Sequence, residues 1–576
     1  MNRITRRGAL SVALAASAAA CARPAPRTAY DAVAGETDVF FAHGVASGDP
    51  GRDSVVLWTR VSPSGVDRMT VRYEVSPDEE FAFIAAEGDI EARLDNDFTV
   101  KTLATGLQAG ARYYYRFRAG DAVSPTGRTR TLPEGSVDAA KFAIISCSNY
   151  PFGHFNVYDL IARDDEFDAV IHLGDYIYEY GGEIGEYGAA EGERLNRPHD
   201  PPHKLVSLAD YRTRHAQYKT DSSLKAAHAA HPFITIWDDH EVANDTWSGG
   251  AENHDPEKDG EWDARKRAAM QAYYEWMPIR EPEWAPAREA IFRSFSYGDL
   301  LTIVALESRL FARSKNFVYD EIVPTLTSPE AVANFRDNIL WSADRELLGA
   351  EQLDFVRNAF KSSKDAGQAW RLVANQVIMA KVTAPNLEPH LTEADIAELE
   401  AQWDQARAFV KFSTLDLPTN LDAWDGYPAA RERFYNAVKE ASDNDGLVVV
   451  TGDTHTWWAN DLVAKDGEHV GVELGCHSVT STSPYRKEFL GGKGAEYALL
   501  TGRDNKDVRY ISGEDHGYIA LSVTREKMDA SFIAVNTIET PHYEAFEKAG
   551  FTIRKSGGKA QFAGVRGLSL KERAVF

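Results

Sequence analysis

Cysteine is almost missing from this chain: Cys21, Cys147 and Cys476 are the whole complement of 576 residues. So few thiols exclude a disulfide scaffold, and Cys147 needs another explanation. Positive charge is also scarce. Lys and Arg number 63 against 87 Asp and Glu, a formal charge of −24, which argues against a broad nucleic-acid surface because such surfaces cluster Lys and Arg. The same acidic excess suits solubility or cations held at a site. Near the N-terminus the apolar run from Ala9 to Ala20 is too short to span a bilayer, and no internal repeat or long low-complexity segment interrupts the chain.

What is present begins with "MNRITRRGALSVALAASAAACARPAP", a basic start followed by that short apolar run. This reads as an export signal over residues 1–29. Arg6 and Arg7 in "TRRGAL" point to the twin-arginine export machinery, with a general secretory signal as the alternative. The expected location is periplasmic or secreted; lipid attachment at Cys21 is a minor option, since no large aliphatic residue stands three positions before it. Hydrophobic residues at 44% and charged residues at 26% are ordinary for a globular protein. The length favours two domains over one.

The runs "VFFAHGVASGDPGRDSVVLWTRV", "MTVRYEVS" and "ARYYYRFRAG" are short, alternating or β-branched, and divided by Gly, Pro and Asp. They predict a small all-β sandwich over 36–134. From Lys141 the texture changes to apolar runs that end in polar residues, among them "KFAIISCSN", "FDAVIHLGD", "PFITIWDDH", "WRLVANQ" and "DGLVVVTGDTH", with helix-like stretches such as "WDARKRAAMQAYYEWM" between several of them. Strands separated by helices predict a layered α/β domain over 140–540, in which polar residues gather at strand ends. "EYGGEIGEYGAAEGERLNRPHDPPHK" reads as a mobile surface loop, and the basic segment 541–576 as a flap or loosely held tail.

Each strand end has an ordinary reading when taken alone. Asp175 after Gly174 could cap a helix, "IWDDHEVAND" could be a charged turn, and Cys147 could be a small buried hydrophobe. Together they place Cys, Asp, Tyr, Asp, His, Asn, Asp and His at successive strand ends. That many repelling or desolvated groups in one crevice calls for cations.

In this order the motifs "HGVASGDP", "VVLWTR", "SCSN", "HLGDYIYE", "WDDHEVAND", "NQV", "DAWDGY" and "VVVTGDTH" resemble the alkaline phosphatase D (PhoD-like) family of the calcineurin-like metallophosphoesterases, over nearly the whole chain after the signal. The resemblance implies a layered metallophosphoesterase sandwich preceded by the small β domain, and a binuclear or larger centre of iron and calcium, with zinc or manganese as possible substitutes. For iron it implies Cys147, Asp175, Tyr178 and His455; for the neighbouring cation, Asp175, Asp239, Asn375 and Asp453, with Asp175 bridging. Thiolate, phenolate and imidazole suit a transition metal, whereas carboxylates and an amide oxygen suit calcium. Asn375 has a second reading, in which its amide satisfies nearby backbone groups. The resemblance places His240 beside the metals, as the acid that protonates the leaving group or as a group that orients a ligand or the phosphate. At "ALESRLF" Glu307 stands where the family pattern leads one to expect aspartate, which puts any secondary ion contact there in doubt.

The expected function is an exported phosphatase or phosphodiesterase that hydrolyses phosphate esters with a metal-activated water. Alternatives are a phospholipase D-like hydrolase of phospholipid headgroups and an inert exported metal-binding protein. Membrane contact is expected only through Cys21 lipidation or a phospholipid substrate. Of the other candidates, His172 reads as a packed or second-layer histidine, and Trp424, Asp425 and Arg431 as entrance residues or as a helix cap with its helix.

Overall fold

The computed structural model describes residues 39–282, 288–403 and 405–567, so the expected signal, Arg6, Arg7 and Cys21 lie outside the described residues. Two large sheets organise the chain. The first has ten strands in the order Lys559–Arg566, Ala545–Ser556, Lys527–Val535, Gly517–Thr524, Ala139–Ile145, Ala169–His172, Pro232–Thr235, Val45–Gly48, Ser54–Arg60, Thr99–Thr105. The second has seven: Arg293–Tyr297, Leu301–Ala305, Trp370–Ala374, Leu447–Thr451, His469–Gly475, Trp457–Val463, Val508–Ser512.

Strict alternation within the central strands explains why they read as unbroken apolar runs. Phe142 and Ile144 join the core between the sheets, where they meet Ile303, Leu372, Val448 and Val450. Their neighbours Ala143 and Ile145 face the other way, onto Tyr158 and Ile161 of helix Asn156–Ala162 and Leu224 of helix Ser222–Ala230. In the second sheet Val373 and Val449 turn outward onto Val356 and Phe360 of helix Gly349–Asp365 and Phe434 of helix Pro428–Ser442. Strands covered on both faces have no solvent side to carry polar residues, and the result is a helix, sheet, sheet, helix sandwich.

The small β region does form a second core, with Val71, Val75, Tyr115 and Phe117 of one sheet packed against Val45, Val55, Leu57 and Val100. It is not a separate bead, however. Val45–Gly48 pairs in parallel with Pro232–Thr235 (Ser47 opposite Pro232, Gly48 opposite Phe233), so the ten-stranded sheet runs through the boundary expected between 134 and 140. Gly48 permits this approach: a Cβ there would lie 2.3 Å from the Pro278 carbonyl oxygen and 2.6 Å from that of Phe233. Just beyond it, buried Asp49 accepts from the Arg293 guanidinium at 2.7 Å and from the Arg280 backbone N–H at 2.8 Å.

Two expectations need correction. The segment after Glu544 is not a loosely held tail: Ala545–Ser556 and Lys559–Arg566 are antiparallel strands that complete the ten-stranded sheet, and Ala549, Phe551, Ile553 and Ala560 are fully buried in the main core. Its basic look comes from residues such as Lys548 and Arg554 that alternate with this buried set. The expected mobile loop after Glu179 is pinned at its base. Leu205 N–H donates to the Glu179 carbonyl at 3.0 Å, and the buried Arg214 guanidinium donates to the carbonyls of Tyr178, Asp200 and Pro201. At its Gly-rich tip Ile184 is fully exposed.

Candidate metal centre

The parallel strands of both sheets end at one place. Ala139–Ile145 leads to Cys147, Ala169–His172 to Asp175, Pro232–Thr235 to Asp239 and His240, and Leu447–Thr451 to Asp453 and His455. In each case the chain turns sharply as it leaves the sheet: Cys147, Asp175, Asp453 and His455 all have left-handed backbones, with φ of 61°, 55°, 60° and 51°. Non-glycine residues rarely accept this conformation, and such outliers gather at functional sites. Gly174 (φ 102°) allows the crossing, since a Cβ there would lie 2.4 Å from Asp238 Cβ. Cys147 N–H donates to the Gly174 carbonyl at 3.1 Å and Ser148 N–H to that of Asp175 at 2.8 Å, which locks two neighbouring strand ends together.

Here Cys147, Asp175 and His455 each offer a ligand atom within 4.8 Å of the others, all buried. The Tyr178 hydroxyl joins them, donating to Asp175 Oδ2 at 3.0 Å, lying 3.3 Å from His455 Nε2 and accepting from Ser481 Oγ at 2.7 Å. His455 Nδ1 is 2.9 Å from the Thr482 carbonyl; that oxygen can only accept, so the proton sits on Nδ1 and the Nε2 lone pair faces the group. Asp175 and Asp239 also converge with His240, and Asp239 with Asp238 and Asp453, again within 4.8 Å. The sequence-derived residues Cys147, Asp175, Tyr178, Asp239, His240, Asp453 and His455 therefore meet in one buried region.

Asn375 follows strand Trp370–Ala374 as expected. Its NH2 donates to the Val377 carbonyl and its Oδ1 accepts from Trp424 Nε1 at 3.3 Å. These contacts fix the amide's orientation and leave a second lone pair on Oδ1, so both readings of the residue stand. Trp424, Asp425 and Arg431 are not at an entrance either: Asp425 and Arg431 form a buried ion pair at 2.6 Å behind the second sheet's outer helix. Glu307 accepts from Trp237 Nε1 and the N–H groups of Arg309, Leu310 and Phe311, a capping role. His172 is packed, its Nε2 2.9 Å from the Tyr158 hydroxyl.

Electrostatics set this region apart from a structural polar core. Burial, then the charges of Asp239, Glu241 and Asp453, push the Asp175 carboxyl well above its usual range, against the pull of His240. Burial and then Asp175 do the same to the Cys147 thiol and the Tyr178 phenol. Asp175 Oδ1 and Asp238 Oδ2 are buried without a hydrogen-bond partner. Fully ionised, this set is untenable in protein alone; a cation reverses the penalty and supplies the partner that the orphaned oxygens lack. The donor set fits: sulfur, phenol and imidazole at one end suit a transition metal, and carboxylates at the other suit a hard cation.

His240 is held differently. Its Nδ1 lies 2.8 Å from Glu179 Oε2, and its ring packs 4.3 Å from that of Tyr178. Burial disfavours the imidazolium, but Asp239, Asp175 and Glu179 outweigh it and raise the imidazole well above its usual range. Glu179 also accepts from the Asn244 N–H and the Asn253 amide; burial works against its ionisation, yet His240 and these donors hold it below the usual carboxylate range. Glu179, Asp238, Glu241 and Arg309 are functional neighbours that reading the sequence missed. Asp238 and Glu241 flank the chosen pair within "WDDHE" and Glu179 follows Tyr178, so adjacency was the available signal; Arg309 offered none.

Comparison with known proteins identifies the family. Residues 142–532 match the PhoD-like phosphatase family model, and residues 27–133 match that of the PhoD-like phosphatase N-terminal domain. Alkaline phosphatase D of Bacillus subtilis (strain 168) is 34% identical over 538 residues, 89% of this chain and 81% of its own. A solved structure described as "Structure of PhoD" aligns with a TM-score of 0.71 at 29% identity, covering 93% of this chain and 95% of that one. With both family models placed in order along most of its length, the chain belongs to the PhoD-like phosphatase family.

Proposed function

We propose that this phosphatase works through two adjacent cations, iron held by Cys147, Asp175, Tyr178 and His455, and calcium held by Asp175, Asp239, Asn375 and Asp453, with zinc or manganese as the substitutes to be tested. The observation that carries the reading is the convergence of Cys147, Asp175 and His455 within 4.8 Å, with the Tyr178 hydroxyl donating to Asp175 and lying 3.3 Å from His455 Nε2. When bound, such a pair supplies Lewis-acid stabilisation of phosphate oxygens and an acidified attacking water. The chain's own groups do the rest. Asp175 fixes the spacing of the two positions, Glu179 fixes the orientation of His240 through Nδ1, and His240 delivers a proton from its other nitrogen to the departing alkoxide.

The substrate class is a phosphate monoester or diester, including phospholipid headgroup esters; no serine nucleophile is required. Elemental analysis of the purified protein, together with a panel of monoesters, diesters and phospholipid, tests the proposal. Iron and calcium with ester turnover support it, and a metal-loaded protein that hydrolyses none of the panel would establish the inert reading instead. Thiolate or phenolate on ferric iron gives a visible charge-transfer band, so a colourless active enzyme points to zinc or manganese. We further propose twin-arginine export. Replacing Arg6 and Arg7 together with lysine is expected to leave activity inside the cell, and unchanged activity outside it would favour the general secretory route.

A further inference from the structure

Arg309 is fully buried and faces four carboxylates. Its Nε meets Asp238, its Nη1 lies 2.7 Å from Asp422 Oδ2, and its Nη2 lies 3.3 Å from Asp453 Oδ1 and 3.7 Å from Asp239 Oδ1. Asp422 is itself clamped from the other side by Arg313 and the Asn316 amide. The guanidinium fork is thus anchored through Nε and Nη1, and its Nη2 edge is presented to the candidate cation ligands. An arginine so placed decides which oxygen of a carboxylate the protein keeps. Nη2 holds Asp453 Oδ1 much as the Asp245 N–H holds Asp239 Oδ2 at 2.6 Å. The contact thus sets the orientation in which the Asp453 carboxylate is offered to the proposed calcium.

We propose that Arg309 is a positioning residue for the calcium side of the centre, fixing Asp453 as a one-oxygen ligand while leaving the Cys147, Tyr178 and His455 side untouched. The proposal rests on the two-cation reading above. Its sign is distinctive. A bystander positive charge 3.3 Å from a ligand oxygen repels calcium, so losing it would tighten binding, whereas losing a positioning group weakens binding by about 10–100-fold.

Arg309→Lys separates the two effects, because lysine keeps the charge and loses the fork. Calcium titration of the iron-loaded protein by calorimetry is expected to show affinity weaker by about 10–100-fold, with iron content and the visible band unchanged and ester turnover recovered by excess calcium. Asp422→Asn loosens the Nη1 anchor without touching a proposed ligand. It is expected to shift calcium affinity in the same direction by less, and it serves if the first variant, checked by thermal unfolding, does not fold. Calcium binding equal to or tighter than wild type in the folded variants, or loss of iron in step with calcium, overturns the role assigned to Arg309. Wild-type protein that binds iron but no calcium overturns the two-cation reading itself.

Discussion

At the scale of single residues, position relative to the strand ends separates the expected effects of substitution. Asp175 stands in two of the three converging groups and has a buried oxygen with no hydrogen-bond partner. Asp175→Ala is expected to lose both cations and to abolish measurable ester turnover, checked by elemental analysis beside the assay. His240→Ala keeps both cations in the proposed scheme and lowers kcat by about 10²–10⁴-fold, the usual contribution of a positioned acid. If that variant bound no metal, His240 would be a ligand instead. The sequence made these residues legible because Cys, Asp, Tyr and His at the ends of apolar strands stand out by chemical type as candidate ligands. Asn375 shows the limit: the NH2 of an amide can bind a backbone carbonyl while its oxygen serves a cation, so the Val377 and Trp424 contacts are compatible with either reading. Arg309 was illegible for another reason, since its four carboxylate neighbours lie up to 144 residues away from it along the chain.

At the scale of elements, the strands of 139–145, 169–172 and 447–451 were readable because both their faces are covered, which leaves uninterrupted apolar text. Ala545–Ser556 was not, because one face meets solvent and its charges mask the period of two. Phe551→Ala in that strand is expected to destabilise the fold by about 3–5 kcal/mol while leaving metal content intact, as measured by denaturant unfolding and elemental analysis. Helix Leu208–Tyr218 carries a different signature at its end. Lys219 is buried beside the Tyr176 hydroxyl at 3.0 Å and His228 at 3.5 Å, and burial lowers its pKa to about 7. The groups around it, His43, His172, His215, His228 and Tyr176, are all held neutral, chiefly by burial. With the unfolded lysine near 10.4, the unfolded chain binds the extra proton between about pH 7 and 10.4 and the folded chain does not. Stability from this group therefore rises with pH across that window and is lowest below pH 7. Lys219→Met is expected to raise Tm most at pH 6, with the gain shrinking toward pH 10; a gain independent of pH would show that the lysine stays charged when folded.

At the scale of the whole molecule, the N-terminal β region and the phosphatase region share one sheet, which makes them a candidate for a single cooperative unit. The parallel pairing of Val45–Gly48 with Pro232–Thr235 and the Asp49 to Arg293 ion pair both cross between them. A chain starting at residue 137 would expose the edge of Pro232–Thr235 and leave the Arg293 guanidinium without its carboxylate. It is expected to aggregate on expression, and a soluble, active product from that start would show that the two regions fold independently. Composition foretold two cores but not this seam, because a shared sheet depends on which strands become neighbours and not on what each contains.

The left-handed backbones at Cys147, Asp175, Asp453 and His455 have an evolutionary corollary. Each costs on the order of 1–2 kcal/mol that glycine at the same place would not incur. A duplicated copy relieved of selection for turnover would thus gain thermal robustness by drifting to glycine at these four corners, erasing its chemistry as it became hardier. Persistence of bulky side chains at all four in a descendant lineage would then be a record of continued use.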